Sequence, residues 1–430
     1  MANLKTTDPK LFNLLEGERQ RERNGVELIP SENYVSRAVL DALGSEFTNK
    51  YSEGYPGKRY YGGQEFTDQV ELEAIARAKA IFGSDHANVQ VLSGAAANVA
   101  TYFAWLEPGD TILGMDLSHG GHLTHGSPVT YMAKLYNFVR YGMKDVETGE
   151  IDYDHLRELA LKHKPKIILA GFSAYPRELD YAKIADIAKE VDAVAMADMA
   201  HIAGLIAGGV AKNPFDYGFN IMTTTTHKSL RGPRGAMILS KGTVGNPLKK
   251  PDKTIENLPT LIDRSVFPGF QGGPHMHQTL AIAVALGEAQ KPDFKEYAQA
   301  VVDNAKVLAR TLMDKGFKLV TNGTDNHLIL ADVWSSFNVG GKEAEEVLDK
   351  IGLTLNKNSI AGDTRKPFDP SGIRLGTPAM TTRGFRAKDM EQIANWMKTA
   401  LDNRKDDAKL QTLHNEVIEY CQQFPLPSDV

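Results

Sequence analysis

The sequence holds a single cysteine, Cys421, in 430 residues. No intrachain disulfide can form, and neither a cysteine-based zinc site nor an iron–sulfur cluster is available; that usage fits a reducing compartment and predicts a cytoplasmic protein. Basic charge is also not in excess. The 49 Lys and Arg stand against 54 Asp and Glu, a net charge of -5 that leaves no electrostatic footprint for nucleic acid. No run of about 18 apolar residues occurs, so a membrane span is not expected. The N-terminal stretch "MANLKTTDPKLFNLLEGERQRERNG" lacks the apolar centre of a signal peptide and reads as a helix, with Asp8 as N-cap, Pro9 in the first turn and Gly25 as stop. Neither a G-x-G-x-x-G nor a Walker A pattern is present, which removes the usual support for dinucleotide and ATP binding.

What remains is an ordinary globular composition, 42% hydrophobic and 24% charged. The length calls for two domains, or one large domain with an appendage. From about Phe66 helical and strand-like patterns alternate: "DQVELEAIARAKAIFG", "ANVQVLS", a helix from Ala95, "DTILGM", "PKIILAGF", "AVAMADM" and "GAMILS". Such alternation predicts an α/β fold with a mostly parallel sheet covered on both faces. The texture changes after Lys291, where residues 292 to 316 form an amphipathic helix and "HLILADVW" and "GIRLGTPA" suggest a second α/β unit. The division expected is an N-terminal arm over 1–55, a large domain over 56–291 and a small C-terminal domain over 292–430. "YSEGYPGKRYYGG", too rich in Gly, Pro and Tyr for a helix or core strand, reads as an ordered functional loop. The polar, Pro-rich segment from about Lys241 to Asp263 reads as a surface excursion.

Three strand ends carry candidate chemistry. In "TTTTHKSLRGPRGAMILS" the β-branched run favours a strand and the Gly and Pro that follow favour a turn, so Lys228 falls at a strand end. "VLSGAAAN" places Ser93 and Gly94 where a strand meets a helix, a pattern that serves either as a plain N-cap or as a phosphate cradle. "AVAMADMAHIAGL" ends an apolar strand on Asp198, either a local cap or a buried carboxylate in need of a partner. In an α/β sheet these ends converge on one edge. A phosphate site, a buried aspartate and a strand-end lysine together suggest pyridoxal phosphate (PLP), with Lys228 on the aldehyde and Asp198 on the pyridine nitrogen. His119, His122 and His125 recur every three residues, but Gly120 and Gly121 interrupt any aligning helix and no carboxylate is near in sequence, so a flat imidazole on a ring is the preferred use over a metal. Arg374, in the packed-looking strand "GIRLG", needs an anion, and a substrate carboxylate is the natural one.

Together these motifs resemble the serine hydroxymethyltransferases over nearly the whole chain: "ELIPSENY", "YSEGYPGKRYYGG", "SGAAAN", "SHGGHLTHGS", "AYPRELDY", "ADMAHIAGL", "TTTTHKSLRGPRG", "QGGPHMH", "LNKNSI", "SGIRLGTPAMTTRGF" and "FPLP". The resemblance implies the fold type I (aspartate-aminotransferase-like) PLP architecture, with tetrahydrofolate as co-substrate and serine and glycine as the amino acids. It implies that Lys228 binds the cofactor aldehyde, with His227 beside it influencing substrate choice. Asp198 would hold the pyridine nitrogen, His122 would stack on the ring, and Ser173 and His201 would meet the phenolate oxygen. Ser93, Gly94 and Ala95 would form the phosphate cup, completed by Gly272 and Gly273 of a second subunit; Tyr51 and Glu53 would also be lent across an obligate homodimer, or a tetramer. Ser31 and Arg374 would take the carboxylate, with Tyr61 and Glu53 near the hydroxyl. Leu117, Gly121, His122, Leu123, Asn358, Lys366, Pro367 and Phe368 would belong to the folate site. Departures are Ala96, where glutamine is common, Phe270 and His275, the long 241–263 excursion, and the extended "AGDTRKPFDP". A folate-independent aldolase of the threonine aldolase kind would use the same lysine, aspartate and arginine but would not need Leu117, Leu123 and Asn358.

Overall fold

The computed structural model describes residues 3–242 and 258–429. The alternating patterns form a seven-stranded sheet of β1 (His86–Asn88), β2 (Thr111–Met115), β3 (Asn137–Tyr141), β4 (Ile167–Gly171), β5 (Val194–Asp198), β6 (Ile221–Thr225) and β7 (Ala236–Ser240), in the spatial order β1-β7-β6-β5-β4-β2-β3. All pairings from β6 to β3 are parallel, and β7 runs antiparallel to both its neighbours. Every residue of "IILAG" and "VAMAD" is buried. Helices cover both faces of a parallel sheet, so its inner strands read as unbroken apolar runs.

The helices follow their signals. In α1 (Pro9–Asn24) the Leu11 amide donates to Asp8 Oδ1 at 3.1 Å, and Gly25 ends the helix. Further along, α2 (Glu65–Phe82) stops at Gly83 with φ +66, a left-handed conformation that glycine adopts without steric cost. Ser93 caps α3 (Gly94–Trp105) by accepting from the Ala96 amide at 3.3 Å. α2 packs on α4 (Met276–Ala289) through their alanine-rich faces.

A four-stranded antiparallel sheet follows, of β8 (Lys318–Leu319), β9 (Leu328–Asp332), β10 (Asn356–Asn358) and β11 (Gly372–Gly376) in the order β8-β9-β11-β10. It shares one core with the helix Gly341–Lys350, α6 (Ala387–Asp402) and α7 (Asp407–Cys421). The Val26–Glu27 strand pairs in parallel with Leu353–Thr354, and Val26 and Leu28 are buried in the C-terminal core. One long helix, α5 (Pro292–Asp314), belongs to two cores: Phe294, Tyr297 and Val301 pack under the large sheet, whereas Leu308, Ala309 and Leu312 pack with the C-terminal unit.

Two local expectations differ from the structure. "ANVQVLS" pairs only as far as Asn88; beyond it the chain keeps a single contact to β7, from the Ala236 amide to the Val91 carbonyl at 3.1 Å, because it turns there toward α3. Residues 243–257 of the expected excursion lie outside the described residues. Its end is not a polar loop: Leu258–Arg264 is a helix whose Leu258, Leu261 and Ile262 are buried against the α3 side of the sheet.

The N-terminal segment is tied to the C-terminus by Arg383, only 4% exposed. It donates to the carbonyls of Glu22, Arg23, Gly25, Cys421 and Phe424 at 2.7–3.2 Å, which places one cation at the C-terminal ends of α1 and α7. Arg383→Met orphans these carbonyls and is expected to cost about 3 kcal/mol or more in urea unfolding. Arg37→Met, which removes an exposed pair with Asp41, should stay within about 0.5 kcal/mol of the parent.

Candidate active site

A cavity of about 440 Å³ lies outside the carboxyl ends of the central strands, the position where open α/β sheets bind ligands. Ser93, Gly94 and Ala95 enter it from the start of α3 and Ser173 from the end of β4; Asp198 and His201 enter from the end of β5. His227 and Lys228 come from the turn after β6, Arg374 from β11 and Ser31 from the N-terminal segment. His122 completes the set from the loops after β2. Residues from seven segments of the chain thus meet in one space.

Asp198 is 8% exposed. Its Oδ2 accepts from Asn98 Nδ2 at 2.8 Å and His125 Nε2 at 3.0 Å, and its Oδ1 from the Ala200 amide at 3.1 Å. Burial alone would raise its pKa, but the hydrogen bonds and positive potential of His125, with His122 and Asn98, hold it well below the ordinary carboxylate range. Two lone pairs on each oxygen make about four acceptor positions, and three are filled. One place on Oδ1 remains for a further donor, which suits a protonated ring nitrogen. His125 is committed to this duty, because its Nδ1 accepts from the His122 amide at 3.1 Å and the ring hydrogen therefore lies on Nε2, toward Asp198. His122, His125 and Asp198 offer ligand atoms within 4.8 Å of one another. With Nε2 protonated, His125 presents no lone pair to a metal there.

The threonine run explains itself in the same network. Thr223 Oγ1 donates to Asn98 Oδ1 at 2.7 Å, orienting the amide that holds Asp198. Thr225 Oγ1 donates to the Ala200 carbonyl, and Thr226 Oγ1 to the Pro233 carbonyl. Strand β6 ends at Thr225, so Lys228 sits three residues beyond it, in a turn closed by the Gly232 amide on the Thr226 carbonyl at 2.7 Å.

Burial lowers the Lys228 ammonium to about 8; attraction to Asp198 offsets part of that loss, and repulsion from Arg374 and Arg234 adds to it. Arg374 donates to Asn356 Oδ1 at 3.1 Å and to the Ser173 carbonyl at 2.6 Å, both neutral acceptors, and burial pushes it down to about 10. A buried cation held by neutral groups is completed by an anion. Burial also keeps the imidazoles neutral: His122 falls to about 4 and His227 to about 3, while His201 lies well below its ordinary value. His122 Nδ1 accepts from the Thr124 amide at 3.2 Å, which anchors a flat neutral ring at the cavity wall.

This donor set fits pyridoxal phosphate. The amides at the start of a 12-residue helix, with the Ser93 hydroxyl, form an anion cradle. A side chain at Gly94 would come within 2.7 Å of Thr225 Cγ2, so that wall has to be bare. Lys228 can supply a neutral amine and Asp198 has an open acceptor.

Other expected residues are not part of this lining. Tyr51, Glu53, Gly272 and Gly273 gather elsewhere: Tyr51 Oη lies 3.3 Å from Glu53 Oε1, and a Cβ at Gly273 would stand 3.1 Å from the Tyr51 ring. Tyr61 packs edge-on against Tyr51, 5.2 Å between centroids. Tyr51 and Tyr61 are 56% and 48% exposed in the single chain. Leu117 and Leu123 are exposed on short turns either side of Gly121, where a Cβ would be 2.2 Å from the Met115 carbonyl. Ser173 ties that loop to the cavity, its amide donating to the Gly120 carbonyl at 2.7 Å. Asn358 lies two residues from Asn356 on β10 and so shares its side of the sheet. Lys366, Pro367 and Phe368 are exposed, in a loop that does not line the cavity.

Asn98, Asn356 and Arg234 were not singled out by the sequence, nor was His327, whose Nε2 meets His201 Nδ1 at 3.3 Å. His125 stood out only as one of three evenly spaced histidines, not as the partner of Asp198, and Asn98 had a signal in lying on the helix that Ser93 opens. The family model described as serine hydroxymethyltransferase matches residues 4–397, more than nine-tenths of the chain. With its strand-end lysine and aspartate, its helix-start anion cradle and its buried arginine, the chain belongs to the serine hydroxymethyltransferase family.

Proposed function

We propose the following division of labour among the residues of this chain in its family's reaction, the reversible transfer of the serine hydroxymethyl group to tetrahydrofolate, giving glycine and 5,10-methylenetetrahydrofolate. Pyridoxal phosphate, when bound, supplies an electron sink for cleavage at Cα. Lys228 holds its aldehyde, Asp198 its ring nitrogen, Ser93 with Gly94 and Ala95 its phosphate, and Ser173 and His201 its phenolate oxygen. His122 lies flat against the ring, and His227 shapes the space beside the lysine. Arg374, with Ser31, takes the amino-acid carboxylate; fixing that group decides which Cα bond is aligned for cleavage. Glu53, near Tyr61, moves the proton at the hydroxymethyl oxygen. Leu117, Gly121, Leu123 and Asn358, with Lys366, Pro367 and Phe368, take the folate.

The observation that carries this reading is the shared cavity of Lys228, Asp198 and Arg374. The grouping of Tyr51, Glu53, Gly272 and Gly273 apart from it supports an obligate homodimer, or a tetramer of such dimers, in which each subunit lends this group to the other. The lysine, aspartate and arginine would also serve a folate-independent aldolase side activity on other β-hydroxy amino acids. The single buried cysteine agrees with a cytoplasmic setting, and no helix among the described residues is long and apolar enough to cross a membrane.

Four outcomes test the assignment. In the visible spectrum of the purified protein, glycine and tetrahydrofolate together should produce a strong new band that neither gives alone; a glycine response indifferent to folate would remove folate from the reaction. Lys228→Ala and Lys228→Arg should lower turnover by about a thousandfold or more, and unchanged turnover would end the lysine's role. Arg374→Ala should weaken serine binding about 30-fold or more, as expected for truncating a buried charge pair. Because the attacking lysine must be neutral, loading of the apo-protein with PLP should speed up about fivefold from pH 7 to pH 8 and level off above about pH 9, following a pKa of about 8. An ordinary lysine, near 10.4, would keep gaining about tenfold per unit through that range.

A further inference from the structure

The side chain of Glu53 touches little that is fixed. Among the described residues its one side-chain hydrogen bond is with the hydroxyl of Tyr51, itself more than half exposed. Its backbone is held tightly. The carbonyls of three successive residues are all bound within the same chain: Ser52 by Arg59 Nη1 at 2.9 Å, Glu53 by the Tyr60 amide at 3.1 Å, and Gly54 by Arg59 Nη1 at 2.9 Å and Gln90 Nε2 at 2.9 Å. Gly54 has φ +95, and a Cβ there would stand 2.4 Å from the Lys58 carbonyl, so the loop makes a turn at this point that only glycine fits.

The Arg59 side chain is 3% exposed, and its other two nitrogens are bound as well. Nε donates to Asp68 Oδ1 at 2.8 Å and Nη2 to Glu71 Oε2 at 2.5 Å, while Gln90 Nε2 also binds Glu71 Oε1 at 2.8 Å. Asp68 and Glu71 are three apart on α2, so one face of a rigid helix presents both carboxylates to the guanidinium. The planar fork of arginine then converts the position of α2 into the position of two peptide groups, one on either side of Glu53.

We propose that Arg59 is the positioning residue for Glu53: by binding the two carbonyls that flank it from a buried, helix-anchored site, Arg59 sets the direction in which the Glu53 carboxylate leaves the loop. The proposal rests on the reading that Glu53 transfers the proton at the hydroxymethyl group. It adds that the accuracy of this transfer is set from beneath the loop, by an ion-pair cluster that touches no reacting atom. Lysine cannot replace Arg59 here, because a single ammonium has no fork to reach both carbonyls and both carboxylates at once.

The test is a double-mutant cycle on the PLP-loaded enzyme, with Arg59→Lys and Glu53→Gln singly and combined, reading kcat and serine KM with tetrahydrofolate, the cofactor's visible spectrum and the urea midpoint. Arg59→Lys is expected to lower kcat about 10- to 100-fold, the size of loss that a misplacement near 1 Å produces, with KM within about twofold and the spectrum unchanged. In the Glu53→Gln background the same change should cost less than about twofold, since residues that act as one unit are not additive. Gln90→Leu, which removes one donor from the Gly54 carbonyl and leaves the Arg59 pairs in place, guards against a folding failure of Arg59→Lys. It should show the same pattern on a smaller scale, about threefold in the parent and none in Glu53→Gln. If Glu53→Gln alone leaves kcat unchanged, the proton-transfer reading fails and this inference with it. If Glu53→Gln is impaired but Arg59→Lys costs the same factor in both backgrounds, only the inference is overturned, and Arg59 supports the fold alone.

Discussion

The site is organised by one buried carboxylate. Asp198 is charged in a place where charge is costly, and the cost is tolerable only because each oxygen has a donor aimed at it. Each of those donors imposes a further condition. His125 can donate from Nε2 only while its other nitrogen accepts from the His122 amide, so the conformation of the loop carrying His122 is tied to the state of Asp198. Asn98 can turn its amide nitrogen to Asp198 because Thr223 satisfies its oxygen, which connects α3 to β6. The start of α3, the loop of His122 and the lysine strand are therefore bound into one network through a single residue.

Around this negative point the cavity is otherwise positive or neutral. Lys228 and Arg374 both lose hydration, which lowers both pKa values, and the charge of Arg374 lowers Lys228 further. Burial, with a smaller push from the nearby cations, keeps His122, His201 and His227 uncharged. Such a cavity is poised for an anionic ligand that also offers a cationic ring nitrogen.

Much of this was legible in the sequence, and the boundary between what was and what was not has a physical cause. The cap of α1 at Asp8 and Pro9, its stop at Gly25, the cap of α3 at Ser93 and the length of α5 depend on residues within a few positions of each other, so local chemistry sufficed. Asp198 and Lys228 were found because strand ends of a parallel sheet share an edge. Arg59, His125, Asn356 and His327 were not found as partners, since the groups they serve are recognisable only after folding; Asn356 and Arg374, for example, face each other across β10 and β11. The early end of β1 and the buried helix at Leu258–Arg264 were missed for the same reason, as an apolar or Pro-rich string does not reveal which neighbour it meets.

The 23-residue helix α5 has a further implication. Its first half supports the lysine turn directly, Tyr297 Oη donating to the Ser229 carbonyl at 3.0 Å and accepting from Asn33 Nδ2 at 2.8 Å, and Asn33 itself donates to the Lys228 carbonyl at 3.0 Å. Its second half is embedded in the C-terminal core, where Asn304 grips Thr381 and Phe385. An uninterrupted helix about 35 Å long at 1.5 Å per residue behaves as a rod, and bending it in the middle would break its backbone hydrogen bonds. The core behind Arg374 cannot hinge away from the core behind Lys228 at this crossing without breaking that helix. A twist about the helix axis, by contrast, would turn Arg374 relative to Lys228 and leave the helix's backbone hydrogen bonds intact.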